Sequence, residues 1–310
     1  MTATVITHGC RSNLAERDAL ALLAPAGATV INSCAVTAQA VKDARAAVRA
    51  AAGPVYVTGC AAAVAPERFA DLDATLVANS LKLSPASWGR SGPAPAAVTR
   101  QSRAFVAVQD GCDHDCTFCV TRIARGPSRS VAIDQVVARV AALAASGVNE
   151  VVLTGIDLSG HADGLGKLVQ AVLAGTAIRR LRLSSIDPAE ADAALIDAFA
   201  DPRLMPHVHL SLQSGDALVL KRMKRRHTPD DALKLVEKLR AIRPDLAVGA
   251  DLIAGFPTEG EPAHRASLAL ADALGVVHAH VFPYSPRPGT AAARMPQVAP
   301  AIAKRRAAEL

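Results

Sequence analysis

Cys112, Cys116 and Cys119 lie in one short run, Cys112-Asp113-His114-Asp115-Cys116-Thr117-Phe118-Cys119, directly after a stretch that reads as a β-strand. Three thiolates at this CxxxCxxC spacing can hold one metal centre and leave a fourth position free. A four-iron cluster ligated by three cysteines keeps one iron open to a small molecule, whereas a structural zinc site asks for a fourth protein ligand. His114, inside the loop, is the nearby candidate for that ligand. The open-cornered iron–sulfur cluster is the favoured reading. The other three of the six cysteines, Cys10, Cys34 and Cys60, are spread through the N-terminal third, and each follows a predicted strand. Spacing alone would fit buried free cysteines. Their neighbours are polar or glycine, however, as in Thr7-His8-Gly9-Cys10, Asn32-Ser33-Cys34 and Thr58-Gly59-Cys60, unlike the apolar surroundings of a core cysteine.

The elements that must position these residues alternate strand with helix. Thr4–Thr7, Ala28–Asn32, Val55–Thr58 and Thr75–Ala78 read as strands, with helices over Leu14–Leu23 and Val36–Ala52. Such alternation predicts a parallel sheet, whose ligand site lies beyond the carboxyl ends of its strands. The three early cysteines all fall there. A Ser/Pro/Gly-rich stretch from Ser84 to Ala97 reads as a linker. Beyond it the strands are Ala104–Val108, Glu150–Thr154, Arg180–Ser184, His207–Leu212, Ala247–Ile253 and Val277–Phe282. Helices over Ile133–Ala145, Leu165–Leu173, Ala191–Ala200, Pro229–Ile242 and Ala263–Leu274 fill the gaps. Six successive βα units predict a whole or partial barrel with its site at the strand C-termini. The CxxxCxxC loop follows the first of them.

At 310 residues and 51% hydrophobic content the chain can bury a substantial core without disulfides. No stretch reaches the apolar length that spans a bilayer, and the N-terminus lacks a basic-then-apolar leader. A cytoplasmic, reducing location is expected, where clustered cysteines bind metal rather than form disulfides. The net charge of +6 suits a polyanionic partner. Part of the excess is local, in Lys221-Arg222-Met223-Lys224-Arg225-Arg226-His227. A solvated helix face would explain that run as well as phosphate contact would; its place after a barrel strand favours the latter.

The CxxxCxxC loop after a first barrel strand resembles the radical S-adenosylmethionine superfamily. The resemblance implies a cluster whose open iron chelates the amino and carboxylate groups of S-adenosylmethionine, and cleavage of that cofactor to a 5′-deoxyadenosyl radical. It assigns cofactor contacts to strand ends, here Thr154 and Gly155, Ser185, and Gln213. With the earlier cysteines added, the chain resembles the methylthiotransferases, whose N-terminal domain binds a second four-iron cluster. The likeness continues through Ala124-Arg125-Gly126-Pro127-Ser128-Arg129-Ser130, Met223 to Thr228, and His280-Val281-Phe282-Pro283-Tyr284-Ser285-Pro286-Arg287-Pro288-Gly289-Thr290. It implies two [4Fe-4S] clusters, on Cys112, Cys116 and Cys119 and on Cys10, Cys34 and Cys60. It also implies methylthiolation of an unreactive carbon, with an external electron donor. The last segment and Leu153-Thr154-Gly155-Ile156-Asp157 look most like the branch acting at C2 of N6-threonylcarbamoyladenosine 37 in tRNA. Arg125, Arg129, Lys224, Arg225 and Arg226 are the expected tRNA contacts. Other expectations are an isopentenyladenosine tRNA, a ribosomal-protein aspartate, or RNA binding by an iron–sulfur protein without catalysis.

The expected α/β architecture is a small parallel domain over residues 1–83, a linker over 84–100, a partial (β/α)6 radical-SAM barrel over 101–290, and a basic tail over 291–310. Family members usually continue into a substrate-gripping β domain, and the expectation is that it is absent. The turn Pro257-Thr258-Glu259-Gly260-Glu261 also departs from the family's Gly-Glu-Thr pattern. Oligomeric state is not encoded legibly.

Overall fold

The computed structural model describes residues 2–92 and 102–310. Four strands begin the chain: β1 (Thr4–Thr7), β2 (Thr29–Ser33), β3 (Val55–Gly59) and β4 (Thr75–Leu76). They lie in the order β1-β2-β3-β4, every pair parallel. Helices α1 (Arg11–Leu23), α2 (Ala38–Ala50) and α3 (Cys60–Val64) lie in the connections between them. Central β2 is buried along its whole length, as a parallel strand covered on both faces must be. Ile31 joins Val41, Val57 and Phe69 on one face, and Val30 joins Leu20, Leu23 and Trp88 on the other. Helix α2 is rich in alanine, and Val41, Ala44 and Val48 at helical spacing give it one buried face. Thr37 caps it by accepting from the Ala40 N–H at 3.1 Å.

The second part opens with β5 (Arg103–Ala107), β6 (Gln109–Asp110), α4 (Thr121–Arg125), β7 (Arg129–Ser130) and α5 (Ile133–Ala145). It continues with β8 (Glu150–Thr154), α6 (Leu165–Gly175), β9 (Arg180–Leu183), β10 (Ser185–Ile186) and α7 (Ala193–Ala198). It ends with β11 (His207–Gln213), α8 (Ala217–Arg222), α9 (Pro229–Ile242), β12 (Ala247–Ala254), α10 (Glu261–Ala273), β13 (Val276–Pro283) and α11 (Pro300–Glu309). The parallel rows are β5-β8-β9 and β10-β11-β12-β13. Only Ser184 separates β9 from β10, so the rows supply six successive strand positions of a partial barrel. Along each strand one set of side chains, among them Val106, Leu153, Leu181, Leu210 and Ala250, packs with the helices into the main core. The alternate set includes Glu150, Arg182, His209 and Asp251, which bond to one another across the opposite face. The hollow of the barrel is therefore polar.

Several short elements were not foreseen, α3 and α4 among them. An antiparallel ribbon, β6 with β7, brackets the CxxxCxxC loop, and α8 carries the first two residues of the basic run. Two boundaries also need correction. The stretch expected as linker stays with the first domain through Arg90. Trp88 there is buried against Tyr56 with centroids 5.5 Å apart, and its Nε1–H donates to the Lys82 carbonyl at 2.7 Å. The rest of that expected linker, from residue 93, lies outside the described residues. The expected basic tail is docked: Arg306 on α11 is buried and bonds Glu259 Oε1 at 2.9 Å. Strand β13 ends its row and is exposed over much of its length.

Candidate metal centres and cofactor pocket

Because β1, β2 and β3 are parallel, their carboxyl ends share one edge; Cys34 and Cys60 follow β2 and β3 directly, and Cys10 follows β1 after His8 and Gly9. Glycine permits the approach. Gly9 has φ +85°, and a Cβ there would lie 2.5 Å from Cys34 Sγ; Gly59 has φ +92°, with Ser33 O 2.3 Å from its would-be Cβ. Cys34 and Cys60 are buried and Cys10 is exposed. Burial pushes the Cys34 thiol up to about 11, against the Val36 N–H that donates to its sulfur and with the help of Cys10 and Cys60. Burial raises Cys60 as well, opposed by the charge of Arg125. Cys34 feels both other sulfurs, and Cys60 feels that of Cys10.

The second trio sits on a pinned loop. Cys112 N–H donates to Gly126 O at 3.1 Å, Thr117 N–H to Met223 O at 3.1 Å, and Ala292 N–H to Thr117 O at 2.8 Å. Every sulfur here accepts an N–H: Cys112 from His114 N at 3.4 Å, Cys119 from Thr121 N at 3.4 Å, and Cys116 from Arg225 Nη1 at 3.5 Å. Burial, with Asp157 and the other two cysteines adding to it, pushes the Cys112 thiol up to about 12. His114 is raised to about 9 by its bonds to Asp157 and Glu190. Cys112, His114 and Asp157 have ligand atoms within 4.8 Å of one another. That tighter grouping leaves out Cys116 and Cys119, so it uses the loop less fully than a cluster would.

Each trio is attended by one buried arginine. Arg125, six residues after Cys119, donates through Nη1 to Glu16 Oε1 (3.2 Å) and Asp110 Oδ1 (2.7 Å), and through Nη2 to Asn13 Oδ1 (2.6 Å). Burial opposes its charge, yet Glu16, Cys60, Asp110 and Cys10 hold it protonated. Arg225 bonds Cys116, Asp187 Oδ2 (2.7 Å) and Ser211. Among the described residues the Nε of both arginines is buried without a partner.

The expected cofactor contacts gather at the strand C-termini. Thr154 is buried, and a Cβ on Gly155 would meet Gln109 Oε1 at 3.0 Å. Ser185 Oγ donates to Asp251 Oδ2 at 3.2 Å. Gln213, at φ +64°, is one of three non-glycine residues in the left-handed region among the described residues, with Lys224 and Thr258. All three lie on the rim of the barrel, where such strain commonly marks a site. The expected tRNA contacts need correction. Arg125, with 2% of its side chain exposed, lies inside the ion network and cannot meet an RNA. Arg225 is turned inward to Cys116. Lys224 pairs with Asp115, and Arg226 with Glu190 at 2.7 Å, so much of the basic run clamps the cysteine loop. Arg129 is half exposed and pairs with Asp110 at 3.0 Å.

Sequence reading missed Asn13, Glu16 and Lys82. They are nearly fully buried, and Lys82 Nζ lies 2.7 Å from Glu16 Oε2. The signal was present in α1, where Asn13 and Glu16 share a face at i, i+3 spacing and have no reason to be buried without a partner.

The sequence profile of the Radical SAM superfamily matches residues 106–270. The threonylcarbamoyladenosine tRNA methylthiotransferase MtaB of Rickettsia prowazekii is 39% identical over 98% of this chain and 80% of its own length. The tRNA-2-methylthio-N(6)-dimethylallyladenosine synthase of Paracoccus denitrificans is 40% identical over 70% of this chain and 51% of its own. In fold, the chain resembles the radical S-adenosylmethionine methyltransferase TsrM of Kitasatospora setae, with a TM-score of 0.60 at 16% identity, covering 84% of this chain and 64% of that one. The superfamily implies a [4Fe-4S] cluster and S-adenosylmethionine. The barrel loop fits a cluster: three thiols with an N–H at each sulfur, and a buried guanidinium edge left unpartnered beside them. Matched over nearly its whole length, the chain belongs to the radical S-adenosylmethionine methylthiotransferase family.

Proposed function

We propose that this enzyme methylthiolates C2 of N6-threonylcarbamoyladenosine 37 in tRNA, in the cytoplasm, using electrons from an external donor. Cys112, Cys116 and Cys119 hold one [4Fe-4S] cluster, and Cys10, Cys34 and Cys60 hold a second. The observation that carries the reading is the convergence of the early cysteines at one sheet edge, with Arg125 of the barrel domain in their charge field. The Rickettsia relative's name supplies the substrate. Bound together, a cluster and S-adenosylmethionine supply one-electron cleavage of a carbon–sulfur bond, the hard step of the chemistry. The chain's own residues fix and shelter that step. Arg225 and the N–H groups of His114 and Thr121 orient the barrel thiolates. Thr154, Gly155, Ser185 and Gln213, at the strand ends, would hold the cofactor's polar groups. The RNA base must leave its stack to reach this pocket.

The 40% identity to the Paracoccus synthase supports dimethylallyladenosine tRNA as the second reading. Mass spectrometry of tRNA nucleosides from cells with and without the gene separates the two. Loss of methylthio-N6-threonylcarbamoyladenosine is the expected result. Loss of the dimethylallyl product alone, or of a methyl mark without sulfur, overturns the proposal.

A further inference from the structure

Arg11 opens helix α1 immediately after Cys10. It is half-buried, and among the described residues no hydrogen bond or ion pair holds its guanidinium. Helix α1 packs against β5 and β8, which sets Arg11 beside the barrel, within the charge field of Asp251 on β12, Arg103 on β5 and Arg182 on β9. Its backbone is fixed. Asn13 Nδ2 donates to His8 O at 2.9 Å and Ser33 O at 3.2 Å, while Asn13 Oδ1 accepts from Arg125.

The other cations of the hollow are already partnered. Arg103, Arg180 and Arg182 converge on Glu150, the last two at 3.0 Å. Asp251, the carboxylate nearest in charge to Arg11, accepts from three groups: His209 Nε2 at 2.9 Å, His280 Nδ1 at 3.1 Å and Ser185 Oγ at 3.2 Å. Four arginines thus face two carboxylates. Burial and the surrounding Arg182, His209, Arg11 and His278 push His207 down to about 4, which reports the same surplus. His209, Asp251 and His280 could ligate a cation by proximity, but an added dication would meet Arg11 and Arg182. An anion suits the space better.

We propose that Arg11 is the substrate-selecting cation of this enzyme: it takes the free carboxylate of the threonylcarbamoyl group on the target adenosine. The inference rests on the substrate proposed above. A guanidinium matches a carboxylate with two parallel hydrogen bonds. A neutral alkenyl substituent leaves the same half-buried cation unpaired, and a site built around a polar partner rejects analogues that lack it.

The test uses anticodon stem-loop RNAs carrying at the target adenosine the threonylcarbamoyl group, its threoninamide counterpart, or a dimethylallyl group. Fluorescence anisotropy gives Kd for the reconstituted wild type, Arg11→Gln and Arg11→Lys, with iron content measured alongside. The wild type is expected to bind the acid about 10- to 100-fold more tightly than the amide, the span of a charged hydrogen bond. Arg11→Gln brings that ratio to about 1, and Arg11→Lys, at full iron, falls between. An acid-over-amide preference in Arg11→Gln equal to the wild type's, with methylthiolation of the threonylcarbamoyl RNA intact in the wild type, overturns the inference alone. Wild-type methylthiolation of the dimethylallyl RNA and not the threonylcarbamoyl RNA overturns the substrate assignment and Arg11's role with it.

Discussion

Replacing Arg125 with methionine keeps the bulk of the side chain and removes three polar contacts, two of them between the two domains. Severing a buried ion pair costs about 3–5 kcal/mol when the surviving charge is left alone. Here the two carboxylates keep partners, and the buried Asn13 Oδ1 loses its donor. Glu16 retains Lys82 at 2.7 Å and Asn32 Nδ2 at 3.0 Å, and Asp110 is 39% exposed and retains Arg129 at 3.0 Å. The expected loss is therefore about 2–3 kcal/mol, below the full penalty. Anaerobic urea unfolding of the metal-free protein measures it, for Arg125→Met, Glu16→Gln and the double variant. Contact between the two side chains predicts a coupling of about 1–3 kcal/mol, so the double variant should lose less than the sum. Iron retained at the N-terminal trio is a second readout, because Arg125 lies in the charge field of Cys60 and Cys10. A loss under about 0.5 kcal/mol, or strictly additive costs, would refute the reasoning.

Gly59→Ala forces a side chain onto Ser33 O at a backbone angle that costs about 1–3 kcal/mol for non-glycine residues; iron should fall from about eight to about four per chain, and undiminished iron would count against the early trio. The Cys34 thiol, raised to about 11 from 9.0, stabilises the metal-free fold fully below pH 9, and that contribution is lost as pH rises towards 11. Its alkylation rate should keep climbing across that window; a plateau by pH 9 contradicts the burial argument. Arg306→Leu strands the Glu259 carboxylate, whose pKa burial already raises, at a cost of about 3–5 kcal/mol at neutral pH. Protonation relieves a stranded carboxylate, so the deficit should shrink as pH falls below the carboxyl's raised pKa; a pH-independent deficit rules this out.

The strands were legible because apolar runs such as Glu150–Thr154 and Val55–Gly59 are short, β-branched and bounded by turns. The placement of Cys10, Cys34 and Cys60 at one sheet edge was legible because it follows from parallel topology alone. Partner choice among charges was not. The run from Lys221 to His227 reads as one basic patch, but side-chain direction splits it. Lys221 and Arg222 face solvent, while Met223 and His227 are buried and Arg225 reaches Cys116. Arg125 escaped for the same reason, since its carboxylate Glu16 lies 109 residues away. Ser84–Arg90 misled because its Pro and Ser content outweighed one tryptophan, which needed only the Tyr56 ring and a carbonyl to anchor it.

The open margin at β13 has a practical corollary. An unpaired ladder of amides and carbonyls is a template for a stranger's extended chain, and natural proteins blunt such margins with charge. This one carries Val277 at 63% exposure instead. Concentrated stocks should therefore tend to stack edge to edge, and a lysine at Val277 is the simplest guard, because it touches neither cysteine trio.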